Sequence, residues 1–350
     1  MATETIATIM ITLLCCIIMA VLDVVICGLL NLIGVVSFKK AFLWGLCSLV
    51  LPPLFIIYGS LIGRNRFEVT EVELAFNNLP ESFDGYRIVQ ISDIHARSFE
   101  GREGQFAKAV NMINSLDADL IAFTGDLITL SPDEISPLEH SLRILKAKDG
   151  VISILGNHDY SMYSDVDQAT KDEDLQRLIT RQKELGWDLL LNENRTICRG
   201  ADSIAVIGVE NTSTSHYFPS KGDLTKASEG TEGQFRILLS HDPMHWDSEV
   251  VGKDYPLMLS GHTHAMQVSL LGWCPSSLMF KQYRGLYTKD DQHLYVNIGL
   301  GETIFPARIG TRPEITVIKL SKKQSNDVLI QLSALNTTCG CAIFKSIESL

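Results

Sequence analysis

Histidine, aspartate and asparagine recur in five short clusters, each directly after an apolar run. Ile91-Ser92 leads to Asp93-Ile94-His95, Phe123-Thr124 to Gly125-Asp126, and Ile154-Leu155 to Gly156-Asn157-His158-Asp159. Leu239-Ser240 leads to His241-Asp242, and Leu259-Ser260 to Gly261-His262-Thr263-His264. Imidazole and carboxylate donors without thiolate suit Mn, Fe or Zn. Asp93 and His95 stand two residues apart, as do His262 and His264. An extended strand would turn both members of each pair to one side. A glycine at 125, 156 and 261 allows a tight turn and close approach of backbone to ligand. Singly, each cluster has an ordinary explanation: Gly-Asp is a turn, Asn-His-Asp a helix cap, His241 a satisfied core histidine. Their joint occurrence, in order and each after an apolar run, points to one site.

Short strands must position these clusters. Runs rich in Val, Ile, Leu and Phe lie at 67–76, 86–91, 120–123, 151–155, 187–191, 203–209, 235–240, 257–260, 294–298 and 315–320. They are too short for most helices. Several are apolar throughout, which suits strands buried on both faces. Amphipathic helical patterns lie between them at 104–116 and 174–185. The class expected is layered α/β, in which ligands collect beyond the carboxyl ends of strands.

Taken in order, the clusters resemble the calcineurin-like metallophosphoesterase signature of Asp-x-His, Gly-Asp, Gly-Asn-His-Asp, an isolated His and Gly-His-x-His. The resemblance runs over about 67–320. The stretches 90–97 and 308–320 look like the exported, membrane-anchored bacterial phosphodiesterase branch. Enzymes related to that branch cleave a UDP-diacylglucosamine pyrophosphate. The resemblance implies a β-sandwich flanked by helices and two divalent metals bridged by Asp126. It gives Asp93, His95 and His264 to one metal, and Asn157, His241 and His262 to the other. His158 would face the substrate as proton donor, oriented by Asp159. The family often has Gly-Asp-x-x-Asp, whereas here Leu127, Ile128 and Thr129 follow Asp126. That departure touches the support of the ligands and not the ligands themselves.

The reaction expected is hydrolysis of a phosphodiester by a dinuclear metal centre and metal-bound hydroxide. The alternatives are a pyrophosphatase of a nucleotide-linked lipid precursor and a catalytically inactive metal-binding scaffold. The intact Asn157-His158-Asp159 argues against the scaffold, which need not keep a proton donor. His216, in a Ser/Thr-rich loop with Tyr217 and Phe218, reads as surface, with contact to substrate as the alternative.

The chain of 350 residues carries a net charge of -11. That balance argues against nucleic acid as a general partner, because phosphate backbones reward surplus Lys and Arg. From Thr5 to Gly63 the only charges are Asp23, Lys39 and Lys40. Two apolar runs there, 5–38 and 41–63, each exceed the ~20 residues that span a bilayer. Residues 1–66 are therefore expected to be a membrane anchor of two helices, 67–320 the catalytic domain and 321–350 an appendage. Asp23 is expected to face the second helix or a headgroup region, and Pro52-Pro53 to kink that helix. Glu4 is the only charge before the first run, and Lys39-Lys40 sit between the runs. Arg64 and Arg66 follow the second run, and the two basic groups cannot both face inside; the lone Glu4 favours the Lys turn inside and the catalytic domain on the extracytoplasmic side. A lipid-linked phosphoester substrate agrees with the anchor. Removal of residues before about 66 is expected to leave a soluble, active domain. The eight Cys fit neither a zinc ribbon nor a disulfide framework, and Cys339-Gly340-Cys341 reads as a tail with two thiols.

Overall fold

A computed structural model of the chain describes residues 2–323. Cys339, Cys341 and nearly all of the expected appendage lie outside the described residues, although Ser321 and Lys322 continue the last strand.

The N-terminal part is a helical hairpin. Helix α1 (Ala2–Leu32) is followed by α2 (Phe38–Gly45), a short 3-10 turn and α3 (Leu51–Leu61). The stretches Glu4–Leu32 and Phe38–Asn65 are long and apolar enough to cross a membrane. Asp23 turns towards the second stretch, where it accepts a hydrogen bond from Ser48 Oγ. Pro52 and Pro53 fall in the first turn of α3, where a missing N–H costs nothing. They start a helix where a kink was expected, because the preceding 3-10 turn has already broken the run.

The remainder is a four-layer α/β/β/α sandwich. One sheet runs β1 (Glu68–Phe76), β12 (Glu314–Lys322), β2 (Arg87–Ile91), β3 (Leu120–Phe123), β4 (Val151–Ser153), β5 (Asp188–Leu189). The other runs β10 (Gly285–Lys289), β11 (Gln292–Val296), β9 (Leu257–Ser260), β8 (Phe235–Leu239), β7 (Asp202–Gly208), β6 (Glu193–Arg199). Strands β2 to β5 are parallel, as are β7, β8, β9 and β11.

Alternation along each strand divides the core in two. Ile88, Leu120 and Ile152 face Val206, Ile237 and Leu259 across the sheets. Val89, Ile121 and Val151 face α4 (Glu103–Asn114), α5 (Glu139–Arg143) and α6 (Gln168–Glu184), meeting Phe106, Leu142 and Leu178. Behind the second sheet, Ala205, Leu238 and Met258 pack with Leu224 and Ala227 of α7 (Leu224–Ala227). Both faces of the central strands are buried, which explains their unbroken apolar runs. Each such Leu, Ile or Phe contributes roughly 1.5–3 kcal/mol by leaving water.

The hairpin is docked on this sandwich. A Cβ on Gly63 would stand 2.0 Å from the Arg308 carbonyl oxygen, so only glycine permits the approach. Arg64 pairs with buried Glu302 at 3.2 Å and donates to the Ser98 carbonyl at 2.8 Å. Arg102 reaches Glu302 at 3.4 Å and donates to Asn65 Oδ1 at 2.9 Å. Arg97 closes the set on Glu4 at 3.1 Å.

Candidate metal centre

Beyond the carboxyl ends of β2, β3, β4, β8 and β9 the five clusters meet. The chain turns sharply there. Asp93, His95, Asp126, His262 and His264 all have positive φ, between 43° and 74°. Left-handed backbone at a non-glycine residue costs of order 1–3 kcal/mol and persists where the surroundings over-determine it. The strand alternation expected to align Asp93 with His95 is therefore not what aligns them. Strand β2 ends at Ile91, and left-handed turns aim both side chains. The turns are tied across strands: Asp93 N–H donates to the Gly125 carbonyl at 2.9 Å, and His95 N–H to that of Asp126 at 3.1 Å. Glycine clears the space. A Cβ on Gly156 would lie 2.2 Å from Asp126 Oδ1, and one on Gly261 would lie 2.3 Å from Asp93 Oδ2.

Two groups of donors result, sharing one carboxylate. In the first, His264 Nε2 lies 3.2 Å from Asp93 Oδ1 and 3.1 Å from His95 Nε2, and His95 Nε2 lies 3.6 Å from Asp126 Oδ2. In the second, His241 Nε2 lies 3.1 Å from Asp126 Oδ2, and His262 Nδ1 lies 2.8 Å from Asn157 Oδ1. Asp93, His95, Asp126, Asn157, His241 and His264 are buried, while His158 and His262 keep partial access to solvent.

The electrostatics ask for cations. Burial holds His95 well below the usual imidazole value, and it lowers His158 and His262 as well. Burial alone would raise Asp126, but His241, His158 and His95 around it hold the carboxyl well below the ordinary range. Burial opposes a charge on His241, yet Asp126 beside it pushes this ring up to about 10. A positive charge is thus wanted between His241 and Asp126. The buried His241 Nε2 makes no well-angled hydrogen bond, its neighbour being Asp126 Oδ2 at 3.1 Å. His95 Nε2 and His264 Nε2 face each other at 3.1 Å, where one donates to the other in the matching tautomer, and a cation would accept the lone pairs of both. The residues present therefore fit divalent metal ions.

The surroundings hold the donors. His241 Nδ1 lies 2.7 Å from the Thr124 carbonyl, an acceptor that fixes the ring and aims Nε2 into the site. His158 Nδ1 donates to the Thr129 carbonyl at 3.0 Å, and His158 N–H donates to Asp126 Oδ1 at 2.8 Å. Asp159, expected to orient the His158 ring, is occupied differently. Its carboxylate accepts from the N–H groups of Gly156, Asp126, Leu127 and Ile128 at 2.8–3.2 Å. Burial and the Asp126 charge push the Asp159 carboxyl up to about 7, against the pull of those N–H groups. At the position where an acid was missing, Thr129 places Oγ1 3.4 Å from His95 Nδ1.

Aromatic rings rim the site. Tyr163 lies tilted against His158 at 4.3 Å between ring centres, while Phe218 and Phe280 meet His262 edge-on at 5.4 and 5.7 Å. His216 is exposed, and its neighbours Tyr217 and Phe218 make the ring contacts. Sequence reading missed Thr129, Tyr163 and Phe280. Tyr163 follows Gly156-Asn157-His158-Asp159 closely enough to be found, but no spacing marks Phe280.

Comparison with known proteins agrees with this geometry. A model of the calcineurin-like phosphoesterase family matches residues 86–266. A transmembrane protein with metallophosphoesterase domain from Danio rerio is 31% identical over 296 residues, covering 82% of this chain and 64% of that protein. The uncharacterized metallophosphoesterase YkuE of Bacillus subtilis is 33% identical over 276 residues, covering 75% of this chain and 88% of that protein. The UDP-2,3-diacylglucosamine pyrophosphatase LpxG of Chlamydia trachomatis is 28% identical over 308 residues, covering 72% and 89%.

Proposed function

The chain belongs to the calcineurin-like phosphoesterase family, and from that premise we propose that it is a membrane-anchored phosphodiesterase with two divalent metals. Asp93, His95 and His264 would hold one, Asn157, His241 and His262 the other, with Asp126 common to both. The observation that carries this reading is the pair of donor groups sharing Asp126, at 3.6 Å from His95 and 3.1 Å from His241. Mn, Fe and Zn suit such donors.

Bound there, the metals supply an acidified water as nucleophile and positive charge for the phosphoryl oxygens. The chain's own residues do the rest. Thr129 fixes the His158 tautomer through Nδ1, leaving Nε2 to serve the site. A phosphodiester's negative charge beside that ring favours the imidazolium, so that Nε2 donates a proton to the leaving alkoxide. Asp159 holds the backbone of 126–128 and 156, and through it the positions of Asp126 and Asn157. Tyr163, Phe218 and Phe280 narrow the mouth beside His158 and His262.

The likeness to LpxG favours a second reading, cleavage of a pyrophosphate in a nucleotide-linked lipid. Lys39 and Lys40, in the first turn of α2 at the start of the second apolar stretch, support a cytoplasmic turn and an extracytoplasmic catalytic domain. Exposed Cys198 tests the orientation: a membrane-impermeant maleimide should label it in intact cells. The activity is tested with detergent-purified full chain stripped by a chelator. Hydrolysis of an aryl phosphodiester should vanish and return with Mn²⁺, and a UDP-linked acyl sugar should separate the two readings. Undiminished hydrolysis in excess chelator would contradict both.

A further inference from the structure

The sandwich does not stop at the end of the helical hairpin; it runs alongside it. Ile56 of α3 packs with Phe305, Ala307 and Ile309, and Val268 and Ile11 lie against the same cluster. Ile56 stands about 10 Å from Gly63 along the axis, at 1.5 Å rise per residue. Its neighbours Phe55 and Ile57 are exposed, as a lipid-facing helix requires. If α3 lies in a bilayer, residues 305–309 and Val268 sit at the level of that leaflet.

A hairpin projects from that level. Val268 pairs in parallel with Ile309, and Ser269 N–H donates to the Ile309 carbonyl at 2.7 Å. Leu270 and Trp273 then exchange both backbone hydrogen bonds, at 2.9 and 3.0 Å. The tip residues, Leu271 and Gly272, have φ of 51° and 88°, the sign pattern of a primed hairpin turn. Such a turn favours Asn or Asp at its first position, and here a leucine bears the strain with its side chain wholly in the open. Leu270, Trp273, Leu278, Met279 and Ile304 are exposed as well. Water gives no reason for this surface, which exceeds what scattered surface apolar residues explain. The same loop ends on Phe280, whose ring meets His262.

We propose that the hairpin Leu270–Trp273, with Ile304 beside the α3 contact, is a second membrane-contact surface, entering the leaflet that receives the ends of the two helices. The loop then joins that leaflet to the metal centre, and the substrate is a phosphoester headgroup still attached to its lipid. This rests on the phosphodiesterase reading for the chemistry, but the membrane contact stands apart from it.

The test uses the full chain in phosphatidylcholine vesicles whose acyl chains are brominated near the headgroup. Trp44 lies in the anchor, so a Trp44→Phe background is used; Trp187 and Trp246 are buried in the sandwich. Bromolipid should quench part of the emission, and the quenchable part should be lost in Trp44→Phe/Trp273→Phe. Equal quenching in both variants, as a face covered by a second copy of the chain would give, overturns the contact. Leu271→Asp should lower hydrolysis of a vesicle-resident phosphodiester lipid about tenfold or more, the value of one buried leucine, and leave a water-soluble nitrophenyl diester unchanged. Equal effects on both substrates would overturn the lipid source even with quenching intact. If the soluble diester resists the unaltered protein, the phosphodiesterase reading fails while the quenching still decides the contact.

Discussion

The Nε2 atoms of His95 and His264 face each other at 3.1 Å, with Asp93 Oδ1 3.2 Å from the second ring. Burial favours the neutral form of His95, which keeps one ring proton, and the tautomer decides which of its nitrogens carries it. Folding gathers these donors into one buried group, and a cation bound there would favour the folded state. Stability should therefore depend on metal. Stripping the metals should lower the melting temperature of the full chain, and readdition at ~100 times the dissociation constant should return ~2.7 kcal/mol per site. Mn²⁺ should restore more than Mg²⁺, which prefers oxygen donors and keeps its waters. Calorimetry with and without each ion checks this, and an unchanged melting temperature would count against the site.

His158 should separate proton donation from metal binding. His158→Ala should keep near-normal metal content and lose ~10²–10⁴-fold in rate on alkyl esters. A nitrophenyl diester, whose leaving group needs less protonation, should lose less. Equal losses on both substrates would move His158 to the phosphoryl oxygens, and lost metal would make it a ligand.

Thr129 and Asp159 should behave oppositely. Thr129→Ala keeps the carbonyl that holds His158 Nδ1 and gives up only a hydroxyl 3.4 Å from His95. A contact that long is worth at most ~1 kcal/mol, so activity should stay within about tenfold. Asp159→Asn puts an amide NH₂ among four N–H donors, leaving some unsatisfied at roughly 1–3 kcal/mol each. The melting temperature and metal occupancy should fall together, unlike in His158→Ala.

Truncation before residue 66 should not be neutral, although the sequence suggests a clean cut there. It removes Arg64 from Glu302 and uncovers Phe305, Ala307 and Ile309. Arg102 still reaches Glu302, so the ionic loss should be less than the ~3–5 kcal/mol of an abandoned buried charge. Arg64→Ala in the full chain should show the Arg64 share alone, its pair with Glu302 and its hydrogen bonds to the Ser98 and Pro306 carbonyls. A truncated domain melting as high as the full chain would mean that the docking contributes nothing.

Strands β2, β3, β4, β8 and β9 were legible because burial on both faces leaves unbroken apolar runs. Helix α6 begins earlier than its apolar pattern, because Asp167 caps it with an acceptor for Thr170 N–H at 2.9 Å. Strands β6 and β10 were not legible. Both are antiparallel edges without consecutive buried apolar residues, so no apolar run announces them. The five clusters were legible as a set, since residue type survives in sequence. Their aim was not, because it comes from left-handed backbone at Asp93, His95, Asp126, His262 and His264. The hold on His158 is a backbone carbonyl, which every residue carries and no pattern marks. The Arg64–Glu302 pair joins residues from opposite ends of the described chain, and nothing local points to it.

The central claim is that Asp126 is shared by two metals, and metal counting tests it most directly. Asp126 Oδ2 stands 3.6 Å from His95 Nε2 in one donor group and 3.1 Å from His241 Nε2 in the other, whereas Asp93 touches only the first group's rings. Purified Asp126→Ala, Asp93→Ala and unaltered protein should be compared by inductively coupled plasma mass spectrometry after dialysis. The account predicts that Asp126→Ala loses both metals together while Asp93→Ala keeps the ion held by Asn157, His241 and His262. Retention of two metals per chain in a folded Asp126→Ala would contradict it.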